Sequence, residues 1–403
     1  MDALDILTDL DNVHPYFQPI FSADEHRVIG YEVLGRYKSQ DGVESLGPFF
    51  LDESIPEEYR LEVDNIVLTK ALDQALGLED DVLLFVNRDA NLLMHENGEL
   101  LLKLLLGYEE KGIKLNRIVL EITEQNFNED LNHLDNLLNY YRTYGMKIAI
   151  DKVGNDSSHF ERIGQLAPDI MKIDLLALRS TETATRFQDV LYSLSILARK
   201  IGASLLFENI EMVYQLQFAW KNGGRFYQGY YLHKPAESFI NRNLLKDKLK
   251  KECHQFISYE KNKLEKLHSI TDSFHRKMSD FIQKNRIEDY EGMLKELAIE
   301  IQHMAFRLYV CDEDGFQKSP NIIKFEQEWT VQPEYMSKNW SWRPYFLENI
   351  VRMRKEKRGL LSDLYSDIET GESIRTFSFP LNSGDFLFVD LAYAYLYENA
   401  DLL

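Results

Sequence analysis

Six apolar runs in the first 240 residues end on, or just before, a carboxylate, an amide or a lysine: Glu32 in VIGYEVL, Asn87 in VLLFVN, Glu121 in RIVLEITE, Asp151 in KIAID, Lys172 in IMKID and Glu208 in SLLFEN. A seventh run, FYQGYYL, carries Gln228. Four carboxylates held close together repel one another and rise in pKa unless cations neutralise them. A set of oxygen donors without His or Cys suits a hard divalent ion, Mg²⁺ or Mn²⁺. The chemistry implied is metal-assisted attack on a phosphate. Taken singly, each acid also reads as a helix N-cap or a surface ion pair, and Lys172 as the partner of Asp151 or Asp174. Seven such residues on successive runs favour one shared site, in which Lys172 is a cation that orients and activates water.

Such a site needs a frame that brings strand ends together. Short Val/Ile/Leu/Phe runs separated by stretches of helical period predict repeated βα units and a buried parallel sheet. Eight strands are expected, at 16–21, 28–33, 82–87, 117–122, 147–151, 169–173, 204–208 and 227–232. Their number and the length they occupy predict a (β/α)8 TIM-like barrel, with room for extra helices between the second and third strands. Barrel strands running one way converge their C-terminal ends on one mouth. A doubly wound open sheet is the rival, but it would place a Gly-rich phosphate loop after its first strand; PYFQPIFSADEH has no such loop.

From 245 to about 285 apolar residues recur three or four apart without Pro or Gly, predicting one long amphipathic helix. Residues 246–286 hold eleven Lys/Arg against six Asp/Glu, a local excess of five positive charges in a chain of net charge −20. The helix reads as a solvated linker or as one that also packs on a partner subunit. Beyond it, FRLYVCDEDG, IRTFSFPL and FLFVDL predict a smaller α+β domain. The expected division is 1–244, 245–285 and 286–403. The acidic balance argues against a broad DNA-binding or acidic-membrane surface. Two cysteines, Cys253 and Cys311, give neither a disulfide framework nor a zinc spacing. An acidic N-terminus and the lack of an apolar run near the ~20 residues of a membrane span predict a cytoplasmic protein.

The run YFQPIFSADEHRVIGYEVLGRY resembles the opening of EAL domains, cyclic di-GMP phosphodiesterases whose Glu-Ala-Leu signature here reads Glu32-Val33-Leu34. Asn87, EITE at 121–124, KID at 172–174, ENIE at 208–211 and QGYYLHKP ending at Pro235 follow in the family's order, so the resemblance covers nearly all of 14–236. It implies a barrel that binds cyclic di-GMP across its mouth and cuts one phosphodiester to give pGpG. By position, Glu32, Asn87, Glu121 and Asp151 would hold the first metal. Lys172 and Glu208 would serve catalysis, Glu208 and Gln228 would complete the second metal and water shell, and Gln18, Arg36 and Gln228 would contact substrate. Glu124 would steady the loop after the fifth strand, which the family couples to a dimer interface, so a homodimer is expected.

Where active members carry a tandem Asp-Asp-Phe-Gly-Thr-Gly, this chain has Asp151-Lys152-Val153-Gly154-Asn155-Asp156. Lys152 puts an ammonium where the family has a ligand of its second metal, and like charge opposes a cation there. The barrel is therefore either a weakened phosphodiesterase or a cyclic di-GMP receptor without useful turnover. NGGRFYQ is only a local lookalike of the Gly-Gly-Asp/Glu-Glu-Phe motif, so no cyclic di-GMP synthesis is expected. The last 100 or so residues resemble PAS and Cache sensor modules. Arg343, Tyr345 and Asp390 would line a small-molecule pocket walled by Trp340 and Trp342. The alternative is that these aromatics are core and Arg343 pairs with Asp390.

Overall fold

A computed structural model describes the chain apart from residues 1–2, 40–41, 95–97, 124–126, 128–129, 154–159, 177–180, 286–288, 327, 344–345, 382, 400–401 and 403, and the side chains of 160 and 181–189. Two compact units divide it, Met1–Phe256 and Ile257–Leu403. The boundary falls inside the helix Lys246–Lys284, the segment that reads from sequence as a separate linker. Leu249 and Phe256 of this helix belong to the core of the first unit, and Phe274, Met278 and Phe281 to that of the second.

The first unit contains β1 (Val13–Ser22), β2 (Val28–Ser39), β3 (Gly42–Ser45), β4 (Leu83–Asp89), β5 (Ile118–Thr123), β6 (Lys147–Ile150), β7 (Ile170–Asp174), β8 (Ser204–Glu208) and β9 (Gly224–Tyr227). The ladder β1-β9-β8-β7-β6-β5-β4-β2 closes through β1–β2 into an eight-stranded barrel, and β3 hangs on β2 as a hairpin. Helices such as Glu57–Ala75, Leu131–Thr143 and Val213–Lys221 make the crossovers. The architecture is the expected (β/α)8 barrel, with one difference in direction: β1 runs antiparallel to both of its neighbours, β2 and β9. The physical reason is the connection. The chain turns between β1 and β2 with the Ser22 hydroxyl accepting the N–H groups of Asp24 and Glu25, whereas a parallel crossover needs about a dozen residues or more.

One residue from each of seven strands, Ile20, Ile29, Phe85, Val119, Ala149, Ile170 and Leu206, forms a single interior cluster, and Phe226 of β9 packs against it. Fully burying such side chains is worth about 1.5–3 kcal/mol each. Strand side chains alternate in direction, so the next inward residue lies two positions along. Those positions are Asn87, Glu121, Asp151, Lys172, Glu208 and Gln228. On antiparallel β1 the step runs backwards, to Gln18. A register shift at Ile20/Phe21 sets Gly30 opposite Ile20 and Glu32 opposite Gln18, which brings Glu32 to the same level. An apolar floor thus carries a polar layer above it.

The last barrel strand is Gly224–Tyr227, not the expected 227–232. The chain turns at Gly229, whose φ is 152° and where a Cβ would meet Ile210 O at 2.1 Å. Extended structure cannot continue through a turn pressed onto another backbone.

The second unit carries β10 (Ala305–Cys311), β11 (Asn321–Phe325), β12 (Glu328–Gln332), β13 (Leu360–Leu361), β14 (Tyr365–Ser366), β15 (Ser373–Ile374), β16 (Thr376–Pro380) and β17 (Phe386–Leu391). Its antiparallel sheet runs β12-β11-β10-β17-β16-β13, with β14–β15 as a separate pair. Leu294, Leu308, Phe377, Leu387 and Val389 are central to a core shared with the C-terminal part of the long helix. This is the α+β domain expected from sequence.

Candidate active site

Lys172 is the centre of the polar layer. Its side chain is 1% exposed, and Nζ lies 2.8 Å from Glu121 Oε2, 3.3 Å from Glu208 Oε2, 3.4 Å from Glu32 Oε2 and 3.8 Å from Asp151 Oδ1. The Asn87 amide donates to Glu32 Oε1 at 2.8 Å and the Gln228 amide to Glu32 Oε2 at 2.6 Å. Seven residues from seven strands or strand ends therefore meet at one level of the barrel. Of the two simple ion pairs open to Lys172 from sequence, Asp151 is the outermost of its four carboxylates, and Asp174 instead accepts the amide of Asn209 at 2.9 Å. This Asp174–Asn209 brace beside Glu208 was not among the expected site residues; its signal is the acid closing KID and the amide closing SLLFEN.

Burial and mutual charge set the electrostatics. Burial alone would lower the Lys172 ammonium, but the surrounding carboxylates, Glu121 foremost, raise its pKa well above the ordinary value. Burial pushes Glu121 well above the carboxylate range, reinforced by Glu32 and opposed by Lys172. Burial pushes Glu208 up to about 8, with Lys172 opposing and Asp151, Glu32 and Asp174 adding to the rise. Glu32 is buried too, yet Lys172 and the amides of Asn87 and Gln228 hold it below its ordinary value. One ammonium does not balance four carboxylates.

That imbalance, with the donor chemistry, fits a hard divalent cation. Glu121 Oε1 and Gln228 Oε1 are buried with no hydrogen-bond partner, although buried polar atoms are normally satisfied. Glu32, Asn87, Glu121 and Asp151 are the oxygen donors available to such an ion. Their carboxylates are drawn toward Lys172, and among the described residues no three His, Cys, Asp or Glu side chains are spaced to hold an ion as they stand. Loading requires these carboxylates to turn part of their coordination away from the ammonium.

At the edge of the layer, half-buried Gln18 sits opposite Glu32. The Arg36 guanidinium lies 5.8 Å from the Tyr16 ring centroid and donates to its neighbour's carbonyl, Gly35 O, at 2.8 Å. Lys152, at φ 55°, turns the chain immediately after β6, and its N–H donates to Asp151 Oδ1 at 2.9 Å. Glu124, Asn155 and Asp156 lie outside the described residues.

The pocket expected in the second unit is arranged differently. Asp390 is 0% exposed, and its cation is Arg307, not Arg343: Arg307 Nε donates to Asp390 Oδ2 at 2.6 Å and the Thr376 hydroxyl to Oδ1 at 2.6 Å. The reason is register, which sets Arg307 directly opposite Asp390 on β10 and β17. Arg307 also reaches Asp367 at 2.6 Å and Glu369 at 3.0 Å. Arg343 lies over the rings of Trp340 and Trp342, at 4.6 and 5.9 Å from their centroids. Trp340 packs on a buried aromatic cluster while Trp342 is 63% exposed. Tyr345 lies outside the described residues. Among the described residues no helix is long and apolar enough to cross a membrane.

Comparison with known proteins accounts for both units. Residues 1–235 match the EAL domain and residues 239–403 the EAL-domain associated signalling protein domain. The EAL-domain containing protein YkuI of Bacillus subtilis is 54% identical over 406 residues, covering 100% of both chains. Its crystal structure, in complex with substrate c-di-GMP and calcium, superposes with a TM-score of 0.96 over 100% of both chains. The probable cyclic di-GMP phosphodiesterase PdeG of Escherichia coli is 26% identical over 259 residues, 55% of this chain and 44% of PdeG. An EAL domain protein from Listeria monocytogenes, 22% identical with a TM-score of 0.51 over 59% of this chain and 94% of its own, shares the barrel fold. The chain thus belongs to the EAL-domain family, as a member whose barrel is followed by the EAL-associated signalling domain.

Proposed function

We propose that the protein binds cyclic di-GMP at the barrel mouth and hydrolyses it, in a divalent-metal-dependent reaction, to linear pGpG. The observation that carries this reading is the Lys172-centred ring of carboxylates and amides, on a chain 54% identical to a protein crystallised with c-di-GMP as substrate and with calcium. Glu32, Asn87, Glu121 and Asp151 are assigned to the cation, Mg²⁺ or Mn²⁺. A bound divalent cation supplies Lewis-acid activation of water and neutralises charge on the phosphate.

The chain's own groups do the rest. Lys172 keeps its proton and, with Glu208, orients the attacking water. Gln228 and Asn87 fix Glu32 through both of its oxygens, so that carboxylate enters the reaction preorganised. Arg36 and Gln18 are assigned to the substrate, the guanidinium suiting a phosphate in bidentate contact. Water adds to phosphorus, the bond from phosphorus to the 3′ oxygen breaks, and that oxygen takes up a proton.

A second reading, a cyclic di-GMP receptor with little turnover, is favoured by Lys152, whose cationic side chain follows Asp151 directly. One time course separates the two: purified full-length protein with cyclic di-GMP in Mg²⁺ and then Mn²⁺, with pGpG resolved by chromatography. Formation of pGpG that is lost in Glu32→Ala supports the enzyme. Saturable binding without pGpG supports the receptor. We further assign the protein to the cytoplasm as a homodimer, with 1–244 as the catalytic part, 245–285 as the coupling helix and 286–403 as a PAS/Cache-like sensor module.

A further inference from the structure

Gln228 enters the polar layer from a turn tied to the end of β8 and the residues after it. Its N–H donates to Phe207 O at 2.9 Å, its carbonyl accepts the N–H of Ile210 at 3.1 Å, and the N–H of Tyr231 returns to Ile210 O at 2.9 Å. With Gly229 seated on the Ile210 backbone, residues 228–231 shift only as one piece. The far end of that piece is held by the helix that follows the barrel. The Tyr231 hydroxyl donates to Glu252 Oε1 at 2.6 Å, and Lys248 Nζ donates to Tyr231 O at 3.2 Å while standing 3.7 Å from the centroid of its ring. Burial, reinforced by Glu252, pushes the Tyr231 hydroxyl up to about 12, so it remains the donor. The chain just before this helix also reaches the neighbour of Glu32: Tyr31, 1% exposed, donates to Ile240 O at 2.9 Å.

Glu252 is a poor choice for packing alone. It is 9% exposed on a helix whose Leu249 and Phe256 belong to the core, and its Oε2 is buried with no hydrogen-bond partner. Burying a carboxylate costs stability unless it is well paired, so a leucine there would serve the fold better. We infer that Glu252 and Tyr231 are positioning residues for the proposed reaction: they latch the 228–231 turn, hold the Gln228 amide 2.6 Å from Glu32 Oε2, and so keep Glu32 oriented for the cation. This role rests on the barrel mouth being the cyclic di-GMP site. It extends the chain that shapes the site beyond the barrel strands, into the first two turns of the helix Lys246–Lys284.

The test compares full-length parent, Tyr231→Phe, Glu252→Gln and Glu252→Leu, each also in a Gln228→Ala background. Electron paramagnetic resonance of free Mn²⁺ gives the cation affinity, chromatography of pGpG gives kcat, and hydrogen exchange of 224–232 in EDTA reads the turn without any ligand. Tyr231→Phe and Glu252→Leu should each weaken Mn²⁺ binding and lower kcat by about fivefold, and both losses should vanish once Gln228 is alanine, because the double-mutant cycle isolates a route through that residue. Exchange of the turn should be faster in both variants. Glu252→Gln keeps an acceptor for the Tyr231 hydroxyl and should stay within about twofold of the parent. Glu252→Leu should melt no lower than the parent while still losing cation affinity, which a purely structural role would not produce. Parent-like exchange or parent-like Mn²⁺ affinity in both Tyr231→Phe and Glu252→Leu, or equal losses with and without Gln228, overturns the latch. A parent that neither binds nor cleaves cyclic di-GMP refutes the proposed function instead, and exchange in EDTA still decides the latch.

Discussion

Replacing Lys172 by Met removes the one ammonium among four carboxylates while keeping the length and most of the volume of the side chain. Glu121 is the most exposed to this loss, since it is buried to 1% and lies 2.8 Å from Nζ. Deleting one partner of a buried ion cluster typically costs about 3–5 kcal/mol, because the remaining charges stay buried and unbalanced. Much of that cost is repulsion and desolvation of the acids, so Lys172→Met/Glu121→Gln should recover roughly half of it, about 1.5–2.5 kcal/mol. The assay is urea unfolding of the barrel in EDTA, followed by hydrogen exchange of peptides covering β5 and β7. A divalent cation added back should stabilise Lys172→Met more than the parent protein, because it binds folded carboxylates that have lost their competing ammonium. Equal stability of Lys172→Met and parent in EDTA, or no recovery in the double variant, would refute the view that Lys172 balances this site.

Three further outcomes are expected. Lys152→Asp restores an anionic donor after Asp151 and should raise the rate of pGpG formation in Mn²⁺ by about tenfold or more; an unchanged or lower rate places the limit elsewhere. Gly229→Ala puts a Cβ 2.1 Å from Ile210 O and should destabilise the barrel by about 3 kcal/mol or more, with weaker substrate binding as Gln228 shifts; calorimetric melting checks the first and titration the second. Arg307→Met should cost the second unit about 3–5 kcal/mol at neutral pH, read by the fluorescence of Trp329, Trp340 and Trp342. Burial would raise the Asp367 carboxyl, but Arg307 and Thr370 hold it below its ordinary value. Its stabilising contribution is therefore present above the unfolded pKa of about 3.9 and is lost as pH falls through the depressed folded value. The gap between parent and Arg307→Met should accordingly narrow below about pH 4.

The polar layer was legible in the sequence because strand period and chemistry coincide: Asn87, Glu121, Asp151, Lys172 and Glu208 each stand two residues beyond an apolar interior residue of the same strand. The reversed direction of β1 is also written there. Only six residues, 22–27, separate the expected first and second strands, too few for a parallel crossover. The pairing of Asp390 was not legible, since it depends on the register between β10 and β17, and Arg307 within FRLYV looks like a chance polar residue in an apolar strand. Gly229 shows the same limit, because QGYYL has strand composition and only the neighbouring backbone at Ile210 imposes the turn.

The antiparallel first strand bears on how the barrel is made. β1 and β2 form a local hairpin that can assemble as soon as it is synthesised, with little loop-closure entropy to overcome. The other edge of β1 is satisfied by Phe226 and Tyr227 and by Ala236, which exchanges two backbone hydrogen bonds with Phe17, all some two hundred residues later. Throughout that interval the nascent chain presents an open strand edge, a template for pairing with other chains. The segment that completes the active-site layer with Gln228 is therefore also the one that ends this exposure, so assembly of the site and escape from aggregation are the same late event.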